Sequence, residues 1–193
     1  QNLDALRSPR LEVVNADGFR WVRQTEKRFD LVIIDFPLPK NLTLSRLYTA
    51  EFYSDIFRVM TVDGIVAIQA GPSFSHEDSS YQTLSKVTAS ILRTIESVGK
   101  KVWAYTSVLD NEAFAIASNS PDFDFEVTAK KNDMHEDRGF GRLCAYRKNW
   151  VRPNVEVNSL NRLPIAGYML DWIHSGRTSF FHYRGTNANF LPE

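Results

Sequence analysis

One cysteine in 193 residues, Cys144, has no partner inside the chain. An internal disulfide is excluded, and a reducing compartment, the cytoplasm, is the natural reading. Net charge is lacking as well, since 23 lysines and arginines balance 23 aspartates and glutamates. The chain therefore has no global positive field of the kind that draws nucleic acid or anionic membrane, and neither is expected as a partner. No run reaches eighteen apolar residues and no secretory pattern opens the chain, so it is not expected to insert into a membrane. His76, His135, His174 and His182 never fall at the i, i+4 spacing of a helical metal pair, and no serine sits in a nucleophile elbow. No metal is expected. The close glycine pair, Gly139 and Gly141 in "DRGFGRL", follows a charged segment and reads as a turn.

What is present is an alternation of two patterns. With 43% hydrophobic and 12% aromatic residues the chain can bury one good core. The runs "LEVVN" (11–15), "LVIID" (31–35), "IVAIQ" (65–69), "KVWAYT" (101–106) and "AFAIAS" (113–118) are mostly apolar on consecutive residues, as strands covered on both faces must be. Helical patterns lie between them. A short helix fits 18–27, and another fits 49–60 with Thr49 as N-cap and Glu51 in its first turn. A third spans 76–98, where Leu84, Val87, Ile91, Ile95 and Val98 recur at helical spacing. There Ser75 with Asp78 resembles a capping box, and Gly99 stands at the C-cap. Near the end Ile165, Tyr168, Met169, Trp172 and Ile173 form an apolar helical stripe after Pro164, suited to core packing or a subunit contact. This order predicts an α/β fold with a mostly parallel sheet and a C-terminal antiparallel strand pair, 101–106 with 113–118.

In such sheets ligands bind outside the carboxyl ends of the strands. The first strand ends in Asn15 and Asp17, the second in Asp35 and the third in Gln69, which gathers four polar groups on one rim. Each has an ordinary structural alternative: Asp17 can cap the helix starting at Gly18, Asp35 can hold a turn, and Gln69 can simply end a strand.

The blocks "SPRLEVVNADGFRWV", "FDLVIIDFPLP", "LYTAEFYSDIFRVMTVDGIVAIQAG" and "VEVNSLNRLPIAGYMLDWI" resemble, in order, those of the polyamine aminopropyltransferases, the spermidine synthases. They are most similar to bacterial members whose full-length chains add membrane-spanning segments. The resemblance implies a class I methyltransferase-like (Rossmann-like) fold and transfer of an aminopropyl group from decarboxylated S-adenosylmethionine, a co-substrate and no permanent cofactor, to an amine such as putrescine. Asp35 then matches the catalytic acid. Asp17, with Gly18 and Asn15, matches the donor nucleoside site, and Gln69 and Tyr48 match the acceptor pocket. A homodimer, and a membrane anchor outside this chain, are the corresponding expectations. The resemblance further implies a catalytic domain over 1–120, truncated at its front, and an extension over 121–193 packed on it.

Departures from the family pattern bear on substrate. The loop after the catalytic acid usually offers a second carboxylate three residues on, and here that position is Leu38. Asp110 and Glu112 could substitute, although acids in a hairpin turn are ordinarily just solvated. The glycine-rich loop and ribose-binding acid that open the family's donor site have no counterpart, so the chain is expected to start inside the domain and bind donor weakly. Direct pairing of 11–15 with 31–35 is the expected repair of the sheet. The alternatives are a non-catalytic binding or assembly domain of the same family, or an S-adenosylmethionine-dependent methyltransferase relative.

Overall fold

The computed structural model describes residues 7–71, 79–107, 112–125, 127–128, 144–146 and 152–174. Helix α1 (Gly18–Gln24) leads to strand β1 (Phe29–Ile34), then come α2 (Leu42–Ser45), a 3-10 turn (Arg46–Tyr48), α3 (Ala50–Arg58) and β2 (Met60–Gly71). Helix α4 (Ser79–Ser97), strands β3 (Val102–Ser107), β4 (Ala113–Ser118) and β5 (Cys144–Tyr146), and helix α5 (Pro164–His174) follow. The five strands lie in the order β1-β2-β4-β3-β5. β1 pairs with β2 in parallel, whereas β2–β4, β3–β4 and β3–β5 are antiparallel. β1, β2 and β3 thus point the same way, and the expected hairpin of β3 and β4 is present.

The helices have local causes. Thr49 accepts from the Phe52 amide at the start of α3, and Phe52, Tyr53, Ile56 and Phe57 turn one apolar face inward. Arg58, in the last turn of α3, donates to the Val22, Arg23 and Thr25 carbonyls at the end of α1. Phe19 of α1 stacks on Phe52 at 5.8 Å. Helix α4 packs on β2, β3, α3 and α5, so it is buried nearly all round, from Leu84 to Ile95, with Lys86 and Arg93 reaching out. Gly99 follows it with φ 81°, the left-handed C-cap conformation. The Ser75–Asp78 capping box lies outside the described residues. In α5, Ile165, Met169 and Trp172 are buried against α4, so the apolar stripe is core packing.

Residues 11–15 are a correction. They form no strand and pair with nothing in the sheet; Leu11, Val13 and Val14 are exposed, and the anticipated ladder to 31–35 is not made. The reason lies in what holds the neighbouring chain. Helix α1 is fastened onto α3 at both ends, and the segment before it touches the foot of β1 through an ion pair between Glu12 and Lys27. A five-residue run with three apolar members has no reason to be a strand without a ladder partner. Among the described residues β1 is left as an edge strand. Among the described residues no helix is long and apolar enough to cross a membrane.

Candidate active site

The register of the parallel pair sets the site. Leu31 lies beside Ile65, Ile33 beside Ala67 and Ile34 beside Ile68, so Asp35, the next residue, comes level with Gln69 one strand spacing away, about 4.8 Å. Alternation along β1 puts Asp35 on the side of Leu31 and Ile33, away from the helices that cover Ile34. The following loop is anchored inward. Phe36 packs on Tyr48 and Phe52 at ring separations of 6.3 and 5.7 Å, Pro39 is buried, and Leu38 packs against the core. Asp35 is thus held at the strand end between a rigid ladder and a fastened loop, with its side chain exposed.

Tyr48 is the main fastening. It is buried, and its hydroxyl donates to the Pro37 carbonyl at 3.0 Å and to the Phe36 carbonyl at 3.3 Å. Burial, and secondarily the negative charge of Asp35, push its phenol well above the usual range, so it stays a neutral donor. Tyr48 therefore supports the loop from inside.

Behind it stands a residue that motif reading passed over. Asn158 is fully buried, and its side-chain amide donates to the Ser45 and Tyr48 carbonyls at 2.9 and 3.1 Å. Its own backbone N–H donates to Thr94 Oγ1 at 2.9 Å, and its carbonyl accepts from the Ala50 amide. Ser90 adds a bond to the Glu156 carbonyl at 2.7 Å. The segment before α5 thereby pins the 3-10 turn to α4. The signal available in sequence was weak: Ser90 and Thr94 are small polar residues four apart in α4, where Ser85 and Thr88 are buried as well.

The other end of that turn meets the second group of named residues. Arg46 pairs with Asp17 and lies over the Phe19 ring at 5.5 Å. Asp17 is the N-cap of α1, accepting from the Arg20 amide at 3.0 Å. That backbone bond, and the Arg46 guanidinium, hold its carboxyl below the ordinary aspartate value. Asn15 and Gly18 are exposed beside it. A groove of about 300 Å3 opens here between the 12–18 segment and Trp21 and Phe29; of the residues singled out in the sequence, Gly18 alone lines it. Two groups result, Asn15–Asp17–Gly18 and Asp35–Gln69, joined by the short turn from Arg46 to Tyr48.

At the end of β2, Gln69 donates its side-chain amide to Glu112 Oε2 at 3.1 Å. The ladder to β4 slips by one residue between Gln69 and Gly71. Gly71 has φ 119°, and a Cβ there would meet Thr88 Oγ1 at 2.7 Å, so only glycine lets the strand end pass this close to α4. Asp110 lies outside the described residues. Among the described residues no three of His, Cys, Asp and Glu gather as a metal site.

The family model for the spermine/spermidine synthase domain matches residues 2–129, and the chain belongs to that family. Polyamine aminopropyltransferase 1 of Streptomyces coelicolor is 42% identical over 98 residues, 51% of this chain and 17% of the relative. The polyamine aminopropyltransferase of Leptospira interrogans is 35% identical over 174 residues, 86% of this chain and 32% of the relative. Among solved structures, a spermidine synthase in complex with the transition state analogue AdoDATO aligns over 67% of this chain and 44% of its own, at 24% identity and a TM-score of 0.49. The chain thus spans about a third or less of the length of these curated relatives.

Proposed function

We propose that this chain carries the acceptor side of an aminopropyltransferase, one that moves an aminopropyl group from decarboxylated S-adenosylmethionine to an amine of the putrescine type. The observation that carries the reading is Asp35, exposed at the carboxyl end of β1 and level with Gln69 on one side of the sheet. The amine nitrogen attacks the carbon beside the sulfonium, the new C–N bond forms as the C–S bond breaks, and the bonding pair leaves with sulfur as a neutral thioether. Positive charge builds on nitrogen. An ammonium has no lone pair, so a carboxylate next to the acceptor must first take a proton, and afterwards it favours the cation that forms. Asp35 has that role here. Tyr48 acts through it as a positioning residue, by holding the carbonyls of Phe36 and Pro37.

On this reading Asp17, with Asn15 and Gly18, contacts the donor nucleoside. Arg20 and Arg46 occupy part of the Asp17 carboxylate, and a carboxylate has about four lone-pair sites, so it can still accept from an exocyclic amino group. The reaction belongs in the reducing cytoplasm. Leu38, packed on the core where the family pattern has its second acid, favours the alternative of a non-catalytic relative.

Asp35→Asn in the intact protein is expected to lower turnover by about two powers of ten or more, the usual worth of a positioned base. Initial rates with several amines as acceptors decide it. Turnover equal to wild type would remove Asp35 from its role, and no transfer by the wild-type protein would favour the non-catalytic relative.

A further inference from the structure

We infer that Arg46 is a positioning residue of the nucleoside site: it fixes the Asp17 carboxylate so that its remaining lone pairs meet a base with an exocyclic amino group and refuse one with an oxygen there. This rests on the reading of Asp17 as the nucleoside contact. The two carboxylate oxygens are held from two directions. Oδ1 accepts from the Arg20 amide at 3.0 Å, a bond local to the cap of α1, and Oδ2 accepts from Arg46 Nη2, which arrives from 29 residues away. With both oxygens engaged the carboxylate is kept from turning, and of its roughly four lone-pair sites those left over point in set directions. Removing Arg46 frees Oδ2 alone and leaves the cap in place.

Arg46 is itself held. Its carbonyl accepts from Thr49 Oγ1 at 2.9 Å, and the carbonyls of Ser45 and Tyr48 beside it accept from Asn158, so the turn that carries it is pinned. Its guanidinium lies over the Phe19 ring at 5.5 Å, and Phe19 stacks in turn on Phe52 of α3. The contact with Asp17 uses one of its N–H groups; Nε is buried with no hydrogen-bond partner among the described residues. An ion pair whose side chains are 37% and 40% exposed adds little to stability, so a staple for α1 is a poor account of so well anchored an arginine. Orientation of Asp17 is the better one. An amino group donates to a carboxylate, an oxygen in its place sets acceptor against acceptor, and a site built around a hydrogen bond rejects the analogue that lacks it.

The test is nucleoside selectivity, read by calorimetric titration of the intact protein. The probes are 5′-methylthioadenosine, the thioether that aminopropyl transfer releases, and 5′-methylthioinosine, which has an oxygen in place of the amino group. Arg46→Met keeps a stem over Phe19 and removes the hydrogen-bond donor; it is expected to lower the preference for the amino nucleoside at least tenfold. Arg46→Lys returns one cationic donor, all that the contact uses, and should keep that preference within threefold of wild type. A general loosening of the fold would weaken both nucleosides alike and leave the ratio unmoved. A smaller fall in the Met variant, or a Lys variant outside that range, overturns the inference. If the wild-type protein binds selectively but transfers no aminopropyl group, the aminopropyl-transfer reading fails by itself, and the two ratios still decide the role of Arg46. No preference in the wild-type protein would remove Asp17 from the nucleoside site and overturn the inference with it.

Discussion

The two sides of the sheet differ sharply over the same few residues. On the helix side Ile34, Val66, Ile68, Ala115 and Ala117 are buried beneath α3 and α4. On the other, Leu31 and Ile33 are 59% and 72% exposed, and Ile65, Ala67 and Ile116 are only partly covered. Further along that second side Phe123 and Phe125 lie on Trp103 and Tyr105, so the cover is partial and is thinnest beside β1. The covered side holds the fold together. The open side leads to Asp35, Gln69 and Glu112, where the proposed site lies. Residues one position apart in sequence serve these two ends because a strand reverses its side chains at each step.

The strongest test of that contrast is a pair of neighbouring substitutions. Ile68→Ala removes a fully buried side chain and is expected to destabilise by about 2–5 kcal/mol, whereas Ile33→Thr, on the open side, should change stability by no more than about 0.5 kcal/mol. Urea unfolding midpoints of the two variants would measure it. Equal losses would mean that the open side is packed in solution and the contrast is false.

A smaller effect is expected at the clamp. Asn158→Ala leaves the buried carbonyls of Ser45 and Tyr48 without this donor and should destabilise by about 1–3 kcal/mol. Because the turn it holds carries Tyr48, turnover should fall with it. A variant as stable as wild type in the same urea titration would show that packing alone holds the turn.

Smallest at neutral pH, and sharpest in what they separate, are the two buried tyrosines. Tyr48 donates to two carbonyls, whereas the Tyr53 hydroxyl is buried without a hydrogen-bond partner among the described residues. Tyr48→Phe should therefore lose about 0.5–1.5 kcal/mol, and Tyr53→Phe should be near neutral or stabilising. Both phenols are pushed above their ordinary value, first by burial; Tyr53 feels Tyr48 next, and Tyr48 feels Asp35. In the unfolded chain they would ionise near pH 10, so stability from the neutral phenols is whole below that pH and is lost as pH rises above it. Each Phe variant should accordingly lose less stability than wild type between pH 9 and about pH 11. Parallel pH curves for all three proteins would contradict the burial of these groups.

Much of this was legible along the chain. β1, β2, β3 and β4 were visible as runs of consecutive apolar residues, β4 to its limits, but the cover expected on both faces is missing at β1, where Leu31 and Ile33 are exposed. Thr49 as the cap of α3, Gly99 at the end of α4 and the stripe of α5 were visible because caps and helical periodicity are local. Asp35 and Gln69 were visible as polar strand ends. The structure brings these two level, while their roles rest on the proposal above. Strand 11–15 was misread because the same local pattern needs a ladder partner, and whether one exists is not written in five residues. Helix α2, the 3-10 turn and β5 were missed because short elements carry too few residues for a period to show. Asn158, Arg46 and the hydrogen bond from Gln69 to Glu112 join positions 43 to 113 residues or, for Arg46 to Asp17, 29 residues apart. The sequence by itself determined the alternation of strand and helix, since each follows from the spacing of neighbours. Only the tertiary structure decided which side of the sheet stays open and which carboxylate stands beside Gln69, because those depend on register and on contacts between segments that meet only when the chain has folded.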